Sequence, residues 1–146
     1  MIETVVIAVE GSEAAQEATR VGLDLAEGLG AEALFVHASG SLAHRVFDSA
    51  AEGEALPAER LDSVLGRANE LAQTRGVRSK FQVWPAEGID DVAGVVTAVA
   101  DTHKPSLIVV GCRGRGTVSG AVLGSVSRAI LGTTDLPVVV VHARAD

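Results

Sequence analysis

Short runs of β-branched and other apolar residues alternate with longer segments of helical periodicity along this chain. Such short runs are typical of strands, and the run at 77–84 alternates between apolar and polar positions, as an edge strand does. Lys80 would give that edge an outward charge, which discourages pairing with another chain. The five predicted strands are 4–9, 33–38, 77–84, 106–111 and 138–141.

The segments between the strands carry the period of amphipathic helices, and we expect helices at 12–29, 58–75, 90–103 and 125–131. Residues 39–55 show no such period, so we expect a long loop there that could act as a lid or a partner surface. The predicted inner face of the first helix carries Ala18, Val21, Leu25 and Leu29, with Gly30 as its stop, and Gly76 is the predicted stop of the second helix.

The regular alternation of strand and helix favours a parallel sheet with helices on both faces. No linker or change of composition divides the chain, so we expect a single doubly wound α/β domain over residues 1–146. In such a sheet, ligands bind beyond the carboxyl ends of the strands, where the strand order reverses. The residues Val9-Glu10-Gly11-Ser12 and the glycine-rich segment after Gly111 follow two such strand ends.

The net charge of the chain disfavours two classes of binding partner. With 12 Lys and Arg against 19 Asp and Glu, the net charge is −7 at neutral pH. This acidic balance disfavours nonspecific binding to nucleic acid or to anionic membrane surfaces, so we expect neither as a partner. The chain shows no signal-peptide pattern at its start, and Cys112 is its one cysteine, which predicts a cytoplasmic protein.

The segment GCRGRGTVSGAVLGSVS at 111–127 is the strongest candidate for chemistry. Backbone without Cβ atoms lets N–H groups approach an anion closely, and Gly124-Ser125 would open a helix whose first N–H groups are free. The segment has neither the lysine of a Walker loop nor the spacing of the dinucleotide fingerprint. Two interpretations stay open from the residues alone: a phosphate site with donors from Ser125, Ser127 and Arg113, or a structural glycine turn.

The same segment resembles the nucleotide motif of the universal stress protein family, G-2x-G-9x-G-S/T, through Gly111-x-x-Gly114 and Gly124-Ser125. The flanking LIVVGCRGRG and PVVVV and the opening VVIAVEGSEAAQEA extend the resemblance over nearly the whole chain. It implies a Rossmann-like fold whose five parallel strands have the order 3-2-1-4-5. It also implies binding of ATP or a related adenine nucleotide, with or without Mg²⁺.

The resemblance also implies a set of site residues. The glycine motif would contact ribose and phosphates, the end of the first strand would line ribose and adenine, and the end of the second would touch the base. The predicted nucleotide-binding residues are Ala8, Val9, Glu10, Ala38, Gly111, Arg113, Gly114, Gly124, Ser125, Val126 and Ser127.

The chain departs from the family pattern at Glu10, at Cys112 and at Pro105-Ser106, of which the first two bear on the site. Glu10 stands where the family usually has aspartate, and its additional methylene shifts the carboxylate by about 1.5 Å, one C–C bond. Unless the crevice adjusts, this shift alters nucleotide affinity or selectivity. Cys112 stands where the family commonly has serine, and it is a candidate thiol site without a second cysteine to resolve a disulfide.

The family resemblance implies a regulator of the stress response that forms homodimers. The apolar strand at 138–141 independently favours pairing with a second copy, so we predict a homodimer through 138–143. A slow ATP hydrolase and a dimeric module that binds no nucleotide remain as alternatives. We expect at most weak hydrolysis and no catalytic residues, because no nucleophile–base pair is visible, and no metal site made by the protein alone. Ser12 and Ser125 are interpreted as helix caps, and His37 as a packing residue.

Overall fold

The fold is that of a computed structural model, which describes residues 1–9, 13–38, 45–47, 65–112 and 124–142, with the backbone alone for 13, 14 and 45–47. Its elements, in chain order, are β1 (Thr4–Ala8), α1 (Glu13–Leu29), β2 (Glu32–Ala38), β3 (Arg45–Phe47), α2 (Gly66–Arg75), β4 (Ser79–Trp84), α3 (Ile89–Thr102), β5 (Ser106–Cys112), α4 (Ser125–Leu131) and β6 (Val138–His142).

Five parallel strands form the sheet in the order β4-β2-β1-β5-β6. Numbered along the chain, these strands have the order 3-2-1-4-5, so the predicted α/β fold and strand order are confirmed. A helix lies between successive parallel strands in the chain, because a parallel connection must carry the chain back to the opposite end of the sheet.

A short sixth strand in the described part of the chain differs from the prediction. β3 lies inside the segment predicted as the loop 39–55 and pairs antiparallel with β4, with Phe47 opposite Phe81. β4 therefore has a neighbour on both sides over 81–83 and is not the bare edge strand that its alternation indicated. Three residues are too few to show a period of two, so no pattern in the sequence predicted β3.

The predicted glycine stops agree with the structure. Gly30 and Gly76 follow α1 and α2 with φ of 67° and 68°, the left-handed conformation that residues with a Cβ rarely adopt. The predicted start of the second helix at 58 lies outside the described residues. None of the described helices combines the length and the apolar character needed to cross a bilayer.

Alternate residues of the strands enter two separate cores. On one side, which we call the α1 face, α1 and α2 cover the sheet, and the rings of Phe35 and Phe81 stack with their centroids 5.0 Å apart. On the other side, the α3 face, α3 and α4 cover Val6, Leu34 and Ile108. Because both faces are covered, the central strands consist almost wholly of apolar residues, as parallel sheets require.

The predicted inner face of α1 is displaced by part of a turn. Leu29 is 41% exposed, whereas Leu23, which the prediction left out, is fully buried together with Ala18 and Ala26. Small residues let the helix approach the sheet closely: a Cβ built on Gly22 would lie 2.5 Å from Cδ1 of Ile7. The bulky residues of α1 therefore lie to either side of the line along which α1 contacts the sheet, and not at its centre.

Candidate functional site

The strand order reverses direction beside β1. From β1 the chain runs through α1 to β2 on one side, and it returns through α3 to β5 on the other. β1 pairs with both neighbours in parallel, with Val6 opposite Leu34 and Ile108. The carboxyl ends of β1 and β5 therefore adjoin at one edge of the sheet, as the sequence predicted, and this is where open α/β sheets bind ligands.

A cavity of about 190 Å³ opens at this edge, on the α3 face. Five residues predicted for the site line it: Ala8, Val9, Ala38, Gly111 and Val126. They come from β1, β2, β5 and α4, so residues far apart in the sequence meet around one space. Its walls are mainly aliphatic, which suits the faces of a flat, weakly polar ring better than a charged group. We call it the switch-point cavity.

Half of the described lining was not predicted from the sequence. Val36 and Val110 precede predicted site residues by two and one positions, Ala15 comes from α1, and Val92 and Val96 come from α3. The two α3 valines lie on the apolar stripe that the helical period shows for residues 90–103. That stripe indicated only that the helix packs on the sheet. Nothing in a single sequence separates the part of an apolar stripe that fills the core from the part that borders a cavity.

The start of α4 brings three more predicted residues to the same edge. Gly124 is the N-cap, with extended backbone at φ −67° and ψ 163°, and its carbonyl accepts the N–H of Arg128 at 2.9 Å. Ser125 is the first helical residue and makes no capping bond, so its interpretation as a cap was wrong. The Ser127 side chain is 1% exposed and donates its hydroxyl to the Gly124 carbonyl at 3.1 Å, behind the cavity wall.

Cys112 joins the end of β5 to the start of α4. Its side chain is 1% exposed, and the Gly124 N–H donates to Sγ at 3.0 Å. A buried thiol that accepts a backbone N–H is a packing and positioning group, and its burial argues against the redox role considered for it. This hydrogen bond holds the N-cap of α4 beside the last residue of β5, which follows Gly111 directly.

His37 binds the backbone of the neighbouring strand end. Its Nδ1 lies 2.9 Å from the Val9 carbonyl oxygen, and because a carbonyl only accepts, Nδ1 carries the proton. The Val9 N–H in turn donates to the Val36 carbonyl at 2.9 Å. The carboxyl ends of β1 and β2 are therefore held together, which agrees with the packing role expected for His37.

The other predicted site residues, Glu10, Arg113 and Gly114, lie outside the described residues, as does the predicted cap Ser12. Among the residues that are described, no group of three or more His, Cys, Asp or Glu side chains could hold a metal ion.

A strand-order reversal with glycine-flanked strand ends and a small apolar cavity is shared by many nucleotide-binding α/β domains, so fold alone does not define the family. The sequence pattern of the "Universal stress protein family" matches residues 1–142, which is nearly the whole chain. The chain belongs to the universal stress protein family. The resemblance noted in the glycine segment is therefore confirmed at the level of the family.

Individual universal stress proteins support this assignment. A "Universal stress protein in QAH/OAS sulfhydrylase 3'region" of Thermus aquaticus is 32% identical, and the match covers 97% of this chain and 100% of the relative. A crystal structure titled "universal stress protein in complex with cAMP" has a TM-score of 0.67 and 25% identity, covering 98% of both chains. A universal stress protein of Archaeoglobus fulgidus, in complex with dAMP, has a TM-score of 0.62 and 19% identity, covering 97% of this chain and 98% of the other.

Proposed function

We propose that this universal stress protein binds an adenine nucleotide at the switch-point cavity and that the bound nucleotide regulates its action in the stress response. The observation that carries the proposal is the convergence of Ala8, Val9, Ala38, Gly111 and Val126 on one cavity. Four separate elements supply these residues, and all five were assigned to nucleotide binding from sequence alone.

The volume and the walls of the cavity support a base rather than a whole nucleotide as its occupant. At about 190 Å³ it is smaller than the roughly 300–1,000 Å³ of pockets that enclose complete small molecules. Valine side chains from β2, β5 and α3 would pack on the two faces of a purine ring. Ribose and phosphates would then extend from the cavity past Gly111 toward the start of α4.

The start of α4 fits the phosphate end of such a ligand. Gly124 has an extended backbone that any residue adopts. A Cβ built on it would lie no closer than 3.6 Å to the described residues beyond its chain neighbours, at Ser127 Oγ. The described part of the fold therefore does not require glycine here. One reason for glycine remains: without a Cβ atom, the backbone at this position allows a ligand to approach closely. The first N–H groups of a helix have no intrahelical partners and favour anions.

The solved relatives support the choice of ligand. Two of them carry cAMP and dAMP, and both ligands contain adenine and one phosphate. We therefore propose adenine nucleotides as the ligand class, with ATP, ADP and AMP to be compared in the presence and absence of Mg²⁺. Glu10, with its longer side chain, is the residue that we expect to set the preference among them.

Thermal unfolding with added nucleotide tests this proposal directly. A ligand that binds only the folded state raises the midpoint as its concentration rises above its dissociation constant. We expect an upward shift with at least one adenine nucleotide, and at least tenfold weaker binding for Gly124→Ala, a loss of about 1.4 kcal/mol or more. Gly28→Ala is the matched control, since a Cβ at this exposed helix position meets nothing within 4 Å.

An unchanged nucleotide affinity of Gly124→Ala would contradict phosphate binding at the start of α4. An unfolding midpoint that does not shift with any of the three nucleotides would contradict the whole binding site. Mass spectrometry of the ligand released from undialysed protein provides an independent measurement. An adenine nucleotide recovered from the wild type in larger amount than from Gly124→Ala would support the same site.

We also propose a homodimer through 138–143, of which Val138–His142 are described. Val138, Val139, Val140 and Val141 are each only half-buried in the single chain, and β6 is the terminal strand of the described sheet. Light scattering across a concentration series should give twice the mass of the chain, and a monomer throughout would contradict this part. Weak hydrolysis and a cytoplasmic location stay predictions.

A further inference from the structure

A second and larger cavity lies on the α3 face, away from the switch point. It has a volume of about 410 Å³ and runs between β4 and the outer side of α3. Gln82 and Trp84 form its β4 wall, and Gly94, Val95 and Ala98 form its α3 wall. We call it the flank cavity. Its volume falls in the range of pockets that enclose small molecules, roughly 300–1,000 Å³.

The Gln82 side chain has a fixed orientation. Trp84 Nε1–H is a donor only, and it lies 2.8 Å from Gln82 Oε1. The oxygen of the amide must therefore face the indole, and the amide –NH₂ must point the other way. The usual ambiguity between the two ends of a glutamine amide does not arise here.

The –NH₂ group of Gln82 is a donor without an acceptor among the described residues. Gln82 is only 7% exposed, and its one side-chain hydrogen bond is the one that Oε1 accepts from Trp84. No fully buried side-chain nitrogen or oxygen of the described residues lacks a partner, so Nε2 must reach accessible space. The cavity that Gln82 lines is that space. A nearly buried donor left open toward a cavity is costly unless water or a ligand accepts from it.

The hydrogen-bond donors of the other polar side chains in the described lining are already used, and the Nε2 of a His103 ring protonated at Nδ1 is an acceptor. Thr102 donates its hydroxyl to the Ala98 carbonyl at 2.9 Å, and the protonated Nδ1 of His103 donates to the Val99 carbonyl at 2.8 Å. The indole N–H of Trp84 donates to Gln82 Oε1. Among the described residues, no Asp, Glu, Lys or Arg side chain lines this cavity. The described lining therefore offers one open side-chain donor, an indole ring, the His103 ring and mainly aliphatic walls, and no carboxylate, ammonium or guanidinium group to balance a charged ligand.

We propose that the flank cavity is a binding site for an uncharged, planar aromatic molecule that carries a carbonyl oxygen. The ring lies against the Trp84 indole and the small residues of α3, where offset aromatic packing and burial of apolar surface stabilise it. The carbonyl oxygen accepts the free N–H of Gln82. The site is independent of the nucleotide proposal, because it shares no lining residue with the switch-point cavity.

Trp84 makes this proposal measurable, because it is the one tryptophan of the chain. A ¹⁵N-labelled full-length protein gives a single indole N–H resonance, which reports directly on the β4 wall. The probes are 2-acetonaphthone and 2-isopropenylnaphthalene, two planar molecules of similar shape that differ by a carbonyl oxygen in place of a CH₂ group. We expect both to shift the resonance, and the ketone to bind about 2- to 12-fold more tightly, the ratio that one net hydrogen bond provides.

Two variants test the two walls separately. Gly94→Leu places a side chain in open space, since a Cβ there meets nothing within 4 Å, and it should abolish binding of both probes without unfolding the protein. Gly28→Leu, at an equally open position on α1, should bind both as the wild type does. Gln82→Glu keeps an oxygen for the Trp84 N–H but removes the –NH₂ donor, so the preference for the ketone should fall to about onefold.

Each contrary result overturns the proposal. Unchanged binding by folded Gly94→Leu would assign the probes to another site. Competition by adenine nucleotide that continues without saturating as its concentration rises would do the same, since linkage through α3 saturates. A ketone preference that persists in Gln82→Glu would remove the proposed contact. An indole N–H resonance that does not shift with either probe would mean that the protein itself already covers the cavity. A resonance that shifts with protein concentration alone would mean that a second copy covers it.

Discussion

On the α1 face, the two phenylalanines whose side chains are described stack in the middle of the sheet, and Leu23 and Leu65 close the space around them. On the α3 face, the described buried core contains no aromatic ring, and α3 carries Gly94 and Ala98 on its outer side. Both cavities lie on this second face. We infer that the α1 face, with its stacked rings, contributes more to the stability of the fold, and that the α3 face leaves space for ligands.

The largest effect that this comparison predicts is at Phe35. Phe35→Ala removes a fully buried ring and its stacking partner's contact, so the free energy of unfolding should fall by about 3–5 kcal/mol. Val36→Ala, on the α3 face, should lose roughly 1.5–2 kcal/mol at about 0.8 kcal/mol per buried CH₂. Urea denaturation measures both. Equal losses would contradict the claim that the α1 face carries more of the stability.

Gly22→Ala should cause the next largest loss in the free energy of unfolding. The Cβ of Gly22→Ala would lie 2.5 Å from Cδ1 and 2.6 Å from Cγ1 of Ile7, which is itself fully buried. Overpacking of this kind costs about 1–3 kcal/mol. We expect a lower denaturation midpoint with an unchanged slope. A midpoint equal to that of the wild type would show that α1 can move away from the sheet without cost.

Gly94 is the matched position on the α3 face, and the sign of its effect should be opposite. Both glycines lie inside helices, but a Cβ on Gly94 meets nothing within 4 Å. Gly94→Ala should stabilise the protein by about 0.5–1 kcal/mol, because alanine loses less backbone entropy on folding. Calorimetric midpoints of the two glycine variants, measured side by side, test the contrast. If both variants are destabilised, the space beside Gly94 is filled in solution.

Arg75 provides the smallest effect. It binds Asp24 at 2.5 Å and Glu27 at 2.7 Å, and so links α2 to α1 at the exposed side of the α1 face. Hydrogen bonding to Glu27, and then to Asp24, raises the pKa of Arg75. Because a raised pKa favours the cation in the folded state, the contribution is complete at neutral pH and is lost only in strongly alkaline solution.

Solvent screens this exposed network, so Arg75→Gln should cost less than about 1 kcal/mol, and the difference should shrink in 1 M salt, where the screening length is about 3 Å. Arg78→Gln is the control. Arg78 lies 3.8 Å from Glu32 with 76% of its side chain exposed, and we expect its loss to be smaller still. A cost for Arg75→Gln that is unchanged by salt would point to lost packing rather than lost charge.

The sequence predicted those features that depend on local pattern. Apolar runs located the five parallel strands, and glycine stops located the ends of α1 and α2, because each is encoded within a few neighbouring residues. The face of α1 was predicted incorrectly at Leu29 and Leu23, since close contact through Gly22 depends on the sheet opposite. β3 was missed because pairing with β4, rather than any period of its own, makes Arg45–Phe47 a strand.

The candidate site follows the same rule. Ala8, Val9, Ala38, Gly111 and Val126 could be assigned because a family motif and the strand ends mark them in the sequence. Val92 and Val96 could not, since their role depends on where α3 lies over the sheet. The flank cavity had no sequence signal, because its two walls, β4 and α3, come together only where the fold places α3 beside β4.

α3 forms a wall of both cavities. Val92 and Val96 border the switch-point cavity, and Gly94 and Ala98 border the flank cavity. A helix shared in this way creates a thermodynamic linkage. If a ligand in one cavity displaces α3, it changes the affinity of the other cavity for its ligand. By reciprocity, the second ligand must change the affinity for the first by the same factor.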